Sequence, residues 1–467
     1  MARSGFRTEK DSLGEVEVPQ NALYGAQSLR AAQNYPISGK TAHPSLIRAY
    51  LRIKAAAATA NQACGALSAD LATLILQAVE EVFEMPESRW AEMFIVDAYQ
   101  AGAGTSQNMN INEVLANLAN RIAGNPLGSY SPVHPNDHVN RSQSTNDTYP
   151  TAMRLAVLEV SSQLVLEFQA LAGSFQKKAE AGVGIPKSAR THLQDAVPMR
   201  LGQEFSAYVA VLNRCGRWLT QGRDELRELG ISGSAAGTGL NVPPGFGPAV
   251  VAELSTLTGE KLRLSGNLFE AMQSQSPLSY FSSLLRVSAL ELTRICNDLR
   301  LLASGPMTGL AELQMPEVQP GSSIMPGKVN PSIVEMANQT WFSVLGYDQA
   351  IAYCIQAGQL ELNVMMPMMT YSAIEAVTVA TNALQVLRTR CVDGIEPNVS
   401  RLQKYFESTP QTATALSPKL GYEATAKLVK ESLNTGKSVI ELVREGGLLS
   451  EQEIQSLLSL DALTGRA

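Results

Sequence analysis

Four short polar clusters, widely separated along the 467-residue chain, carry residue types that bind small anions. They are GAGTSQNMNINE at 102–113, RSQSTNDT at 141–148, ARTHLQD at 189–195 and GSSIMPGKVNP at 321–331. Hydroxyl and amide groups, which dominate all four, donate hydrogen bonds to carboxylate oxygens, and a lysine supplies positive charge. Taken together, the clusters predict a site for a small, doubly anionic ligand.

Each cluster taken alone is open to a second interpretation, which is helix capping. Ser, Thr, Asn and Asp are the preferred N-cap residues, and STND stands directly before the apolar segment TAMRLAVLEV. A helix N-terminus also attracts anions, so a helix behind each loop would strengthen anion binding.

His134 and His138 in HPNDH have the spacing of two metal ligands on a helix. Pro135 and Asn136 favour a surface turn there, and no third ligand is evident. The sequence also shows no phosphate-binding loop and no context for a Ser-His-Asp triad. We therefore expect an enzyme without a cofactor or metal that acts on a small dicarboxylate.

Long helical patterns predict the elements that position the clusters. They run over residues 151–181, 201–229, 276–305 and 332–353, with apolar residues recurring at spacings of three, four or seven. Several such helices side by side form an elongated bundle. Residues 154–175 are apolar on nearly every face, which predicts burial on several sides and hence a homo-oligomer.

The flanks of the chain differ from this helical middle. The beginning is rich in turns, with strand-like alternation in EVEV, and the end contains shorter helical patterns. We predict a mainly α fold with an N-terminal domain over 1–143, a central bundle domain over 144–399 and a small helical domain over 400–467.

Composition excludes several classes of protein. The net charge of −6 is unsuited to a nucleic-acid binder, which needs a basic face. No apolar run approaches the length of a membrane span, and MARSGFRTEK lacks the apolar stretch of a signal peptide. The five cysteines form no CxxC pair, so disulfide and zinc frameworks are not expected. A cytoplasmic location fits best.

The clusters and their surroundings resemble the fumarase/aspartase superfamily over essentially the whole chain. GSSIMPGKVNP is similar to the signature loop of that superfamily. Further similar stretches follow in the family's order: TEKDSLGEVEVPQNALYGAQS, GAGTSQNMNINEVLAN, STNDTYPTA, RTHLQDAVPMRLGQEF and GQLELNV. The length and internal order of these matches make the resemblance highly specific.

The resemblance implies a homotetramer of three-domain subunits whose central domains form a twenty-helix bundle. It implies that each active site is assembled from loops of three subunits. The shared reaction is an anti elimination that gives fumarate through an aci-carboxylate intermediate.

Two branches of the superfamily are closest. GTSQNMN and STND are typical of aspartate ammonia-lyases, whereas class II fumarases show GTQSNMN and SSND. Gln356 and Met366 depart from the aspartase pattern, outside the substrate loops. The first hypothesis is therefore an aspartate ammonia-lyase, with class II fumarate hydratase as the alternative and another dicarboxylate amine lyase of the superfamily as a third.

Carried over residue by residue, the resemblance assigns roles to the polar clusters. Ser322 is the general base, and His192 resembles the family histidine that pairs with a glutamate, here Glu335. The residues that bind the β-carboxylate are Thr105, Ser144, Thr145 and Ser323. The α-carboxylate is held by Lys328 and Asn330, with Thr191 beside them, and the amino group faces Asn146 and His192.

Overall fold

The computed structural model describes residues 5–465, and the fold is mainly helical. The helices are α1 (Ala26–Asn34), α2 (Pro44–Ala63), α3 (Ala69–Glu84), α4 (Thr105–Ile122), α5 (Thr145–Ala181), α6 (Leu201–Leu226), α7 (Phe246–Thr258), α8 (Leu268–Gln273), α9 (Ser276–Leu302), α10 (Ser332–Gln356), α11 (Met366–Arg390), α12 (Val399–Ser408), α13 (Ser417–Leu420), α14 (Tyr422–Thr435), α15 (Val439–Glu445), α16 (Glu451–Leu457) and α17 (Leu460–Thr464). The predicted fold class is confirmed.

Strands are few and short. They are β1 (Phe6–Asp11), β2 (Gly14–Pro19), β3 (Pro186–Thr191), β4 (Gln194–Arg200), β5 (Glu228–Leu229), β6 (Arg263–Leu264), β7 (Leu313–Gln314) and β8 (Glu396–Pro397). They pair in sequence order as four two-stranded sheets, of which only β5–β6 is parallel. The EVEV alternation lies in β2, as predicted.

The four predicted long helices are all present as α5, α6, α9 and α10. The largest difference is that α5 begins at Thr145 instead of Thr151. Pro150 signals a helix break in the sequence, but a proline close to a helix N-terminus disturbs few backbone hydrogen bonds. With 37 residues, α5 is about 55 Å long at 1.5 Å per residue.

The chain divides into two compact units, and each long helix contributes residues to both. The first unit contains the residues up to Val165 together with Trp218–Val287 and Phe342–Thr381. In it α2 packs against α3 and α7, and α3 packs against α4. The three-domain division at 143 and 399 stays a prediction.

The second unit contains Leu166–Arg217, Ser288–Trp341 and the residues from Asn382 onward. The rings of Phe175, Phe205 and Tyr208 form one aromatic cluster, with centroids 5.4–6.1 Å apart. A separate core joins the short C-terminal helices. It consists of Ala413, Leu416, Leu428, Val439, Leu442, Val443 and Ile454.

Within residues 5–465, one helix, α5, is long and apolar enough to cross a membrane by those two criteria alone. Of its most apolar stretch, 56% is buried inside this single chain. Arg154 and Glu167, both buried, also lie on α5. These features fit a core helix of a bundle, as the all-round apolarity predicts.

Candidate active site

The first polar cluster forms the N-terminus of α4, where Thr105 is the first helical residue. Gly104 precedes it with a φ of +80°, and no side chain caps the helix. The N–H of Gln107 donates to Gln100 Oε1 at 2.8 Å, while those of Thr105 and Ser106 have no hydrogen-bond partner among residues 5–465. Two free N–H groups at the positive end of a helix suit an anion.

We expect Gly104→Ala to lower the free energy of unfolding by about 2–5 kcal/mol. The alanine would be strained in the left-handed backbone conformation of this position, and its Cβ would clash with a neighbouring side chain. A Cβ at Gly104 would lie 1.8 Å from the ring of Tyr149. Gly173→Ala is the matched control, since Gly173 lies inside α5 with open space around its Cβ position. Urea denaturation should show the control within about 1 kcal/mol of the unchanged protein. Equal stability of the two variants would contradict the packing argument.

The second cluster forms the N-terminus of α5. Ser144 Oγ accepts from the N–H of Asn146 at 3.2 Å, and the N–H of Ser144 donates to Asp147 Oδ1 at 2.9 Å. The capping interpretation is therefore correct for Ser144. Asn146 Nδ2 donates to the carbonyl oxygen of Ala235 at 2.9 Å, and no group within residues 5–465 donates a hydrogen bond to Asn146 Oδ1.

A fully buried lysine that the sequence analysis missed lies behind these helix starts. Lys54, on α2, donates from Nζ to Asn108 Oδ1 at 2.8 Å, Gln143 Oε1 at 2.9 Å and Asn140 Oδ1 at 3.1 Å. Asn108 Nδ2 donates in turn to Thr145 Oγ1 at 3.1 Å. The only signal in the sequence is a single charge within the otherwise apolar stretch IKAAAATA.

Asp147, also fully buried, carries the opposite charge in this region. Its carboxylate accepts from the N–H groups of Ser144 and Ser234, each at 2.9 Å. Burial lowers the pKa of Lys54 to about 7 and raises the pKa of Asp147 to about 7, while the attraction between the two charges opposes both shifts. The region is thus a compensated polar network inside the first unit.

The third cluster forms the hairpin of β3 and β4, in which Thr191 pairs with Gln194. The turn consists of His192 at φ +54° and Leu193 at φ +61°. Two residues with positive φ are typical of a type I′ turn, which favours Asn and Gly rather than these side chains. The turn holds Thr191 and His192 on the exposed tip of the hairpin.

A buried ion-pair network anchors this hairpin. Glu312, which is fully buried, lies 2.6 Å from Arg190 NH1 and 3.1 Å from Lys187 Nζ. Lys187 also contacts Glu204 at 2.7 Å, and the guanidinium of Arg190 lies 5.5 Å from the ring centroid of Tyr405. Since Arg190 directly precedes Thr191, the network determines where the tip of the hairpin stands.

Glu312→Ala should lower the free energy of unfolding by about 3–5 kcal/mol, because it leaves the buried Lys187 and the partly buried Arg190 without their shared carboxylate. It should also lower activity by displacing Thr191 and His192. The control Glu317→Ala removes an exposed carboxylate five positions later and should change stability by about 0.5 kcal/mol or less. Chemical denaturation of both variants measures the difference, and equal values would refute the anchoring role.

The fourth cluster is a loop closed at its base by two hydrogen bonds. The N–H of Gly321 donates to the Lys328 carbonyl at 2.7 Å, and Asn330 Nδ2 donates to the Gly321 carbonyl at 2.6 Å. At its tip, Ser322 Oγ accepts from the N–H groups of Ile324 at 3.2 Å and Met325 at 3.0 Å. Ser323 and Lys328 are exposed, and Ile324 is 84% exposed.

The expected pairing of His192 with Glu335 stays a prediction. Glu335 lies 4.0 Å from Arg300 NH2, and no hydrogen bond or ion pair joins it to His192 within residues 5–465. The hairpin tip and the 321–331 loop belong to the same unit, yet no hydrogen bond joins them in that range either. Each predicted part of the site therefore remains open in the isolated chain.

The HPNDH segment is a single π-helical turn over Pro135–Val139 rather than a plain turn. His134 Nδ1 accepts from the N–H groups of Asn136 and Asp137, and His138 Nδ1 accepts from the N–H of His134. Each imidazole thus uses one nitrogen to hold the backbone. Across the described part of the chain, no group of three or more His, Cys, Asp or Glu residues could hold a metal ion.

A cavity of about 230 Å³ lies in the first unit, lined by residues of 40–46 and 367–375 among others. None of the predicted site residues lines it. Those residues lie instead at helix starts, on the hairpin tip and on the exposed loop.

Comparison with known proteins gives a consistent result. Residues 14–346 match the Lyase family, and residues 413–465 match the fumarase C C-terminus family. The chain is 43% identical to an aspartate ammonia-lyase of a Bacillus species, over 97% of this chain and 96% of that protein. It is also 43% identical to a class II fumarate hydratase of Corynebacterium glutamicum, over 99% of this chain and 97% of that protein.

Among solved structures, a fumarate lyase:delta crystallin from Brucella melitensis superimposes with a TM-score of 0.94 at 41% identity, over 97% of this chain and 98% of that chain. The fold is thus that of a lyase family. The chain belongs to the fumarase/aspartase family, and the ammonia-lyases among its relatives indicate a carbon–nitrogen lyase.

Proposed function

We propose that the protein is an aspartate ammonia-lyase, which converts L-aspartate reversibly into fumarate and ammonia by anti elimination through an aci-carboxylate intermediate. The observation that carries the proposal is the geometry around Ser322. Its Oγ accepts two backbone N–H groups in a loop that also contains Lys328.

Ser322 is the base that removes the proton from the β-carbon of aspartate. A serine hydroxyl is a weak base at neutral pH, so its alkoxide must be stabilised before it can act. The N–H groups of Ile324 and Met325 point at this oxygen, as donors do in an oxyanion hole. The proton moves to Ser322 Oγ, and its bonding electrons become the aci-carboxylate.

The β-carboxylate gains charge as the proton leaves, and this charge must be stabilised more strongly than the ground state. Thr105 and Thr145 each begin a long helix, so hydroxyl donors and helix N-termini act together there. Ser144 and Ser323 complete this set. Collapse of the intermediate forms the double bond and expels the amino group.

The remaining polar residues orient the substrate. Lys328 and Asn330, with Thr191, bind the α-carboxylate. Asn146 faces the amino group. Its amide nitrogen donates to the carbonyl oxygen of Ala235, so its Oδ1 can accept a hydrogen bond from the amino group. His192, with Glu335 as its partner, lies on the same side of the substrate.

We also propose that the protein is a cytoplasmic homotetramer whose active sites each draw loops from three subunits. Large apolar side chains remain exposed on two of the long helices: Leu166 (54%) on α5, and Phe342 (56%) and Tyr353 (61%) on α10. An apolar surface of this kind marks a protein interface. Sedimentation analysis should give four times the 50.1 kDa subunit mass, and a monomer that turns over substrate would contradict the shared site.

Class II fumarate hydratase is the second candidate, favoured by the 43% identity to the Corynebacterium glutamicum protein. The loops GTSQNMN and STND favour the aspartase. The deciding experiment follows the ultraviolet absorbance of fumarate with L-aspartate and L-malate supplied separately. Fumarate from aspartate alone supports the proposal, whereas fumarate from malate alone overturns it.

A further inference from the structure

The buried ammonium of Lys54 is fully engaged by three side-chain amide oxygens. An ammonium has three N–H donors and no acceptor, and Lys54 directs them at Asn108, Asn140 and Gln143. Each of these amides must therefore present its oxygen to the lysine, and its nitrogen points elsewhere. Lys54 thus selects one of the two orientations that an amide side chain can adopt.

For Asn108 this orientation has a consequence at the candidate active site. Its Nδ2 donates to Asn140 Oδ1 and to Thr145 Oγ1, each at 3.1 Å. Its Oδ1 accepts from Lys54 at 2.8 Å and lies 3.5 Å from Thr148 Oγ1. Reversing the amide would break this whole set of contacts, so the orientation that Lys54 selects is the one in which Asn108 donates a hydrogen bond to Thr145.

Because Thr145 Oγ1 accepts from Asn108, its own hydrogen is available for another acceptor. No hydrogen bond donated by the Thr145 hydroxyl is present within residues 5–465, and Thr145 is half-buried at the start of α5. The hydroxyl is therefore prepared to donate, which suits a carboxylate oxygen and does not suit an N–H group. Lys54 reaches Thr145 through this chain of hydrogen bonds, from Nζ to Asn108 Oδ1 and from Asn108 Nδ2 to Thr145 Oγ1.

We propose that Lys54 is a positioning residue which, through Asn108, makes Thr145 a committed hydrogen-bond donor and so selects a carboxylate over a carboxamide at that position of the ligand. The inference rests on the proposed function, because that function assigns Thr145 to the β-carboxylate. It adds a specificity role for a residue that does not touch the substrate.

The test compares how the full-length protein binds succinate, a dicarboxylate that cannot eliminate, and succinamate, its half-amide. Calorimetric titration gives both dissociation constants. In Lys54→Met, Asn108 is free to turn, and Thr145 can accept as well as donate. We expect Lys54→Met to bind succinate about tenfold more weakly than the original enzyme does. The dissociation constant of succinamate divided by that of succinate should fall by a similar factor. Lys427→Met, on the exposed side of α14, is the control and should leave both constants unchanged.

A second variant keeps the experiment informative where Lys54→Met fails to fold. In Asn108→Asp, the carboxylate still accepts from Lys54 but has no N–H to donate to Thr145. The Thr145 hydroxyl would then donate to this carboxylate, and its hydrogen would point away from the ligand. We expect succinate binding to weaken at least as much as in Thr145→Val. In the Thr145→Val background, Lys54→Met should add little, since both act through one hydrogen bond.

The outcomes separate the two proposals. If the original enzyme binds succinate, two results would overturn the positioning role of Lys54. One is a folded Lys54→Met variant with the original ratio of succinamate and succinate dissociation constants, and the other is an Asn108→Asp variant that binds succinate as tightly as the original enzyme. If the unchanged enzyme binds neither ligand, the proposed dicarboxylate function fails, and the positioning role fails with it.

Discussion

We expect Ser322→Ala to lower the turnover of L-aspartate by about a thousandfold, with a small change in KM, because the general base proposed at this position acts mainly in the transition state. The expected size follows from the two N–H groups that stabilise the Ser322 oxygen and from the weak acidity of the β-carbon proton. Initial rates of fumarate formation at several aspartate concentrations give kcat and KM separately.

Two further variants show whether this loss is chemical. Ser206→Ala removes an exposed hydroxyl that contacts only its own helix, and it should leave turnover unchanged. Ser322→Cys keeps an acceptor for both N–H groups and a group that ionises more readily, so it should retain part of the activity. A kcat for Ser322→Ala within tenfold of the unchanged enzyme would remove Ser322 from the role of base.

We expect Lys328→Met to lower kcat/KM for L-aspartate by about a hundredfold or more, mainly through KM, because it removes the charge-assisted hydrogen bond to the α-carboxylate that the proposed function assigns to Lys328. Lys328 is the only lysine or arginine between Arg300 and Arg388. Its side chain is exposed on the loop, and no hydrogen bond or ion pair engages it in the part of the chain that the structure describes. Its charge is therefore free for a ligand.

Lys328→Arg restores the charge with a different geometry and should recover only part of the loss. The half-amide succinamate offers a direct comparison, because the discrimination against it should fall when Lys328 is replaced. An unchanged KM for aspartate in Lys328→Met would exclude the α-carboxylate assignment.

Much of the fold could be predicted from the sequence because the signals are local. The apolar spacing in α9 and the polar cap before α5 each extend over a few turns of helix, and both helices are where the patterns indicate. The predicted start of α5 at residue 151 is later than the observed start at Thr145, because sequence alone does not tell whether a proline such as Pro150 ends a helix or lies in its first turns.

The residue types of the polar loops were enough to propose anion binding, but the residues that support these loops could not be found in the same way. Glu312 and Lys54 are single charged residues in apolar surroundings, and each contacts partners far away in sequence. A buried charge is recognisable only once its partners are known, because the same residue on a surface would be solvated.

The sequence by itself determined where the long helices and the polar clusters lie, since capping, periodicity and side-chain chemistry act over short stretches. Only the tertiary structure decided how those residues are oriented. The donor direction of Thr145 depends on Asn108 and Lys54, and the position of Thr191 depends on Glu312 and Arg190. Hydrogen-bond direction and ion pairing are properties of groups brought together by folding, and no local pattern contains them.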